Sequence, residues 1–178
     1  MKVSRDFALI LVIVTFAIVH EGFHALLAMQ YNEYKAFHVR PYGLEVEYNT
    51  PVSEREGIKW GFISGTSNVV TLLIGYILFL FRVRMSRLEG SFLNAFGYWL
   101  IFFFLLLDTF NLSIGPFIYG GDINGIAVGF GLNRYLVQIV FFVVLLMNRE
   151  LVVQKLFPAY GVKTKHPLFQ PLIKLKDK

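Results

Sequence analysis

Residues 7–29 form an apolar run that ionisable groups interrupt at one place, His20-Glu21-Gly22-Phe23-His24. Ionisable side chains at membrane depth are costly and mark functional sites by default. On a helix, histidines at i and i+4 project about 40° apart, close enough to share one metal ion. Glu21 lies about 100° round from His20 and about 60° from His24, so all three heads emerge on one arc. This is the H-E-x-x-H arrangement, in which two neutral imidazoles bind zinc and the glutamate takes a proton from a metal-activated water. Ala17, Ala25 and Ala28 fall on the same arc and leave room for a partner helix or a substrate backbone.

The surrounding composition agrees with a membrane setting. Of 178 residues, 56% are hydrophobic and only 16% charged, and Phe alone contributes 19, a balance that belongs with integral membrane proteins. The length leaves no room for a separate soluble domain of ordinary size beside a membrane-embedded unit. The absence of Cys excludes disulfides, thiolate ligands and a cysteine nucleophile, so a metal must use His, Asp or Glu. The first apolar run carries the histidines and lacks a small-residue cleavage site, so it is expected to be retained as a working span.

The expected fold is an all-α membrane protein, a polytopic helical bundle of about four spans plus a broken or re-entrant segment, with a small β-hairpin. Residues 7–31 are long enough to cross a bilayer. In the polar connection 32–59, apolar and polar residues alternate around Pro41-Tyr42-Gly43, which predicts a hairpin of 38–40 against 44–48. Residues 60–81 carry no net-charged side chain and form a second span, with the small polar patch Ser64-Gly65-Thr66-Ser67-Asn68 suited to close helix packing. Residues 91–107 form a third span ending at Asp108. Gly115-Pro116, Gly120-Gly121, Gly125, Gly129 and Gly131 make 109–133 hard to read as one straight helix. Irregular backbone at such depth is tolerated where protein or a water-filled cavity surrounds it. A short helix after Asp122 precedes a last span with its core at 135–147, and Arg134 disfavours a single unbroken helix there. From Arg149 the chain reads as a polar, basic tail.

Four crossings place Lys2, Arg5, Arg82, Arg84, Arg87, Arg149 and the tail lysines on one side, while Lys35, Arg40, Arg55 and Lys59 opposite are balanced by five glutamates. The positive-inside rule then puts the N-terminus in the cytoplasm.

A catalytic zinc usually keeps three protein ligands. Asp108 and Asp122 are the candidates for the third, and Asp122 is favoured because broken helices house ion sites in membrane proteins. Asp108, at a helix end, would cap it or pair with Arg134. His38 and His166 read as surface histidines. Asn68 is a candidate donor to the substrate backbone or oxyanion, or equally a helix–helix hydrogen-bonding residue.

These motifs together resemble the site-2 protease family of intramembrane zinc metalloproteases. The family's membrane-embedded H-E-x-x-H is matched by His20–His24, and its small-residue segment with Asn by Ser64-Gly65-Thr66-Ser67-Asn68. Its late Asn-Pro-Asp-Gly-type segment is matched by Asn111 through Pro116 to Asp122, with Ile123 in place of the final Gly. The resemblance implies that His20, His24 and Asp122 bind Zn2+, that Glu21 is the catalytic base, and that the hairpin guides substrate as an edge strand. The chain then divides into a metalloprotease core, 1–148, and a basic cytoplasmic tail, 149–178. The expected partners are the bilayer and a membrane protein or peptide substrate, with no nucleic acid. A non-catalytic metal-binding scaffold is the alternative from another class. A multi-metal membrane oxidoreductase would want more than the four histidines present.

Overall fold

The structure is a computed structural model that describes residues 2–41 and 43–173, with side chains from residue 5 onward. Tyr42 in the expected turn, the Lys2 side chain and the lysines beyond Ile173 lie outside the described residues. In chain order the elements are α1 (Lys2–Gln30), β1 (Tyr34–Arg40), β2 (Gly43–Tyr48), α2 (Ile58–Leu80), the single turn α3 (Arg82–Met85) and α4 (Ser91–Ser113). Then follow the short α5 (Ile123–Phe130), α6 (Arg134–Leu151) and, after a π-helical segment Val152–Leu156, α7 (Phe157–Ala159). Among the described residues four stretches are long and apolar enough to cross a membrane: Arg5–Gln30, Ile58–Leu80, Ser91–Ser113 and Arg134–Ala159. Ile10, Leu73, Ile77, Ile139, Val143 and Met147 point outward and are more than half or about half exposed. A water-soluble fold would bury such a belt, whereas hydrocarbon lipid solvates it.

Helix α4 is the centre of the bundle, packing on α1, α2 and α6, while α5 lies against α2 and α6. Small residues let α5 approach α2 closely. Gly129 sits on the backbone of Gly61, and Gly125 sits against the Ser64 side chain, so that a Cβ at either glycine would overlap its neighbour. Between membrane helices, where lipid is as apolar as the core, such close contact is a main source of association. The sharp turn from α5 into α6 uses Gly131 at φ 63°, and the Asn133 side chain then caps α6 by accepting from the amides of Tyr135 and Leu136.

Three boundaries differ from the sequence expectation. The first strand is longer, pairing Tyr34 with Tyr48 and Arg40 with Gly43 across an irregularity between Tyr34 and Ala36. The third span continues to Ser113, so Asp108 lies inside the helix and not at its end. The last span passes Arg149 and reaches Ala159, with Val152, Leu156 and Phe157 in the core beside Ile101 and Leu105. Arg149 and Glu150 do not stop it because they pair with each other, and Arg149 also grips the carbonyls of Leu168 and Gln170.

The connection between α1 and α2 is tied down at both ends. Glu33, buried, accepts from Lys59 Nζ at 2.5 Å and from the Thr50 amide at 3.1 Å. The Lys59 ammonium holds its carboxyl below the usual value. Arg55 lies over the rings of Tyr48 and Trp60, at 4.7 and 4.5 Å from their centroids. These contacts fix the hairpin over the end of α1 that carries the histidines, with β2 the strand nearer to α1.

Candidate metal centre

Four elements converge on the His20–His24 pair. Helix α1 supplies His20, Glu21 and His24; α4 supplies Asp108; the turn before α5 supplies Asp122; and α2 supplies Ser67, Asn68 and Thr71. Both histidines are buried, and Asp108 is 2% exposed. His20 Nε2 lies 3.1 Å from His24 Nε2 and 3.3 Å from Asp122 Oδ2, and His24 Nε2 lies 3.2 Å from Asp122 Oδ1.

The other ring nitrogens already face acceptors. His24 Nδ1 is 2.7 Å from the Ile63 carbonyl oxygen, and His20 Nδ1 is 3.0 Å from Asp108 Oδ1. The second contact is close but not aligned as a full hydrogen bond. A carbonyl and a carboxylate both require a proton on the nitrogen they face, which assigns the two Nδ1 atoms as donors and leaves both Nε2 lone pairs free. Two lone pairs and a carboxylate facing one another within hydrogen-bond distance repel unless a proton or a metal ion sits among them. The Ser67 hydroxyl, 2.9 Å from His24 Nε2, offers one neutral donor to this cluster.

The spacing suits a metal. Bonds of 2.0–2.1 Å in a tetrahedron put ligand atoms about 3.3 Å apart, and the three separations here are 3.1, 3.2 and 3.3 Å. The donor set, two imidazoles and one carboxylate, is of a type that catalytic zinc accepts. The Glu21 carboxylate stands within 4.8 Å of the histidine ring nitrogens and is partly exposed. It is turned toward the backbone amide of Val46, so the β2 edge that does not pair with β1 faces the site. Tyr48 of β2 stands near enough to feel the charges of Asp122 and Glu21. Burial pushes its phenol above the ordinary value, and the charges of Asp122 and Glu21 push it further, so its hydroxyl keeps its proton.

Asp122 is aimed by its backbone and by two amides. Gly120 and Gly121 adopt φ of 87° and 82°, a left-handed conformation that bends the chain back over α1. Asp122 Oδ2 then accepts from Asn68 Nδ2 at 3.0 Å and from Asn111 Nδ2 at 3.3 Å, while Asn111 Oδ1 accepts from the Tyr119 hydroxyl at 3.0 Å. The first amides of α5 make no side-chain cap with this carboxylate.

Of the two aspartates, Asp122 faces the Nε2 atoms and Asp108 the Nδ1 side of His20. The expected pairing of Asp108 with Arg134 is not formed; Arg134 donates to the Pro116 carbonyl instead. Asn68 has no exposed surface, and its amide donates to the Ser64 carbonyl and, across the helix interface, to Asp122 Oδ2, which it braces. His38 pairs with Glu47, and His166 caps the Leu168 amide, both away from the centre. Thr71, which donates to Asp108, went unnoticed in the sequence. The signal was there: Ser64, Ser67, Asn68 and Thr71 recur at i, i+3, i+4 and i+7, one polar stripe on an otherwise apolar helix.

Comparison of the chain with protein-family models, with curated proteins and with solved structures finds no match in any of the three.

Proposed function

We propose that the chain is an intramembrane zinc metalloprotease, hydrolysing peptide bonds of membrane-associated substrates, with its N-terminus and basic C-terminal segment in the cytoplasm. The observation that carries this reading is the convergence of His20 Nε2, His24 Nε2 and Asp122 at 3.1–3.3 Å, with Glu21 beside them. Those three side chains would hold the ion. Zinc, when bound, supplies a Lewis acid that lowers the pKa of water and polarises a carbonyl. Glu21 takes the proton of the attacking water on a carboxylate oxygen and returns it to the nitrogen of the leaving amine. Asn68 and Asn111 keep Asp122 oriented through its Oδ2, and the Ile63 carbonyl keeps His24 in one tautomer.

The hairpin supports a peptide substrate in particular. A substrate helix has its amides satisfied internally and must unwind before it can be hydrolysed. The free edge of β2 runs past Glu21 and offers backbone partners to an extended segment, which offsets part of that cost. The test is purified protein in lipid nanodiscs, assayed for zinc content and for cleavage of transmembrane peptides. One zinc per chain with cleavage abolished in Glu21→Gln supports the reading. Zinc bound tightly with no product from any membrane peptide would favour a non-catalytic scaffold.

A further inference from the structure

We infer that Asp108 and Thr71 form a positioning pair that orients His20 for the metal, an arrangement that rests on the metal reading above. Asp108 sits inside α4 and is 2% exposed. A carboxylate there is strongly unfavourable unless it is paired and hydrogen-bonded. Among the described residues its partners are His20 Nδ1, at 3.0 Å from Oδ1, and the Thr71 hydroxyl on Oδ2. Neither is a Lys or an Arg.

Each oxygen of the carboxylate therefore has one task. Oδ1 faces the proton on His20 Nδ1, which fixes the tautomer whose Nε2 lone pair points at His24 and Asp122. Oδ2 is held by Thr71, which has a single hydroxyl proton and three acceptors within reach. Two are the Ser67 and Asn68 carbonyls of its own helix, and the third is the carboxylate. Of the three the carboxylate is the only charged acceptor, and a charged acceptor makes the stronger bond. The chain of contacts runs from α2 through α4 to α1, so three helices set one imidazole.

The charges also favour a cation. Asp108 and Asp122 flank the two imidazoles with a negative charge each, which a divalent cation among them offsets, and Glu21 stands at the partly exposed side of the site. A carboxylate behind a ligating imidazole also makes the imidazole a better donor, an effect usually worth 10–100-fold in metal affinity. His24 is served differently, by the neutral carbonyl of Ile63. The two histidines are thus not equivalent, and His20 is the stronger ligand.

The experiment measures zinc affinity by chelator competition, and the visible spectrum of the cobalt-substituted protein, in the full chain in nanodiscs. Asp108→Asn should weaken zinc binding about 10–100-fold and shift the cobalt spectrum. Thr71→Val should weaken binding less, in the same direction, and Thr71→Ser should restore it. The effects of Asp108→Asn and Thr71→Val should not add, because they break one chain. Parental affinity in Asp108→Asn, with an unchanged spectrum, would overturn the proposal and leave the metal site standing. If Asp108→Asn does not accumulate, the Thr71 variants decide: equal affinity in Val and Ser overturns it. A parent chain that binds no zinc or cobalt would overturn both the metal reading and the pair.

Discussion

Gly125 of α5 packs so closely on Ser64 of α2 that a methyl group at position 125 would overlap the serine side chain. The contact sits three residues after Asp122 and one turn before Asn68, the two residues whose 3.0 Å hydrogen bond aims the carboxylate at the histidines. Helix packing and site geometry are therefore joined here. What holds α5 down also places Asp122.

Gly125→Ala is expected to push α5 away from α2. Overpacking of this kind costs about 1–3 kcal/mol, and the displacement should lower zinc affinity as well as the thermal midpoint. The check is melting in nanodiscs run beside chelator competition. A variant that loses stability but keeps parental zinc affinity would show that Asp122 is placed independently of this contact.

Glu21→Gln should keep zinc and lose hydrolysis, since the amide preserves shape but takes no proton. Zinc stoichiometry and peptide cleavage, measured on one preparation, separate the two effects. Turnover comparable with the parent would remove Glu21 from the mechanism.

His20→Ala, His24→Ala and Asp122→Asn should each lose most of their zinc after dialysis against a weak chelator, because two good ligands rarely hold the ion. The loss in Asp122→Asn should exceed that in Asp108→Asn, since Asp122 faces both Nε2 atoms and Asp108 faces only a ring N–H. The reverse order would exchange their roles.

Much of this was legible in the chain because it is local. His20, Glu21 and His24 share one helix face by spacing alone, and the charge-free run at 60–81 has few structural alternatives to a span. Asp122 was legible through its glycines, which announce a bend without stating its direction. Asp108 was not, because its role depends on how α4 packs against α1 and α2. A charge at the end of an apolar run reads as a helix end, and here His20 and Thr71 pair with it inside the helix. The same reasoning misplaces the end of the last span, where Arg149 and Glu150 pair with each other. For Asn68 the sequence leaves two roles open, substrate contact and helix–helix hydrogen bonding, and only the packing of α2 beside the turn before α5 shows that its amide donates to Asp122.

The hairpin has its own test. The Val46 amide is turned toward Glu21, so Val46→Pro removes a donor at the free edge and leaves the pairing with β1 largely intact. Cleavage should fall while zinc content stays at one per chain. Unchanged cleavage would leave the edge without a role in substrate handling.

The last prediction concerns what holds the hairpin in place as pH changes. Glu33 is buried and accepts from Lys59 at 2.5 Å and from the Thr50 amide at 3.1 Å. The Lys59 contact comes first among the causes that lower its carboxyl below the ordinary 4.5, with Thr50 adding to it against the opposing effect of burial. A carboxyl whose value is lower in the folded protein than in the unfolded chain stabilises the fold at pH above the unfolded value. That contribution fades as pH falls through the folded value, because protonation ends the attraction to Lys59. The connection at residues 49–57 should therefore open to added protease as pH drops below about 4.5, before the membrane helices unfold. Glu33→Gln should open it at neutral pH and erase the pH dependence that the parent shows below 4.5. The measurement is limited proteolysis with an acid-tolerant protease over this range, with helix content followed by circular dichroism. Cleavage in the connection that rises equally in the parent and in Glu33→Gln would assign the change to another group.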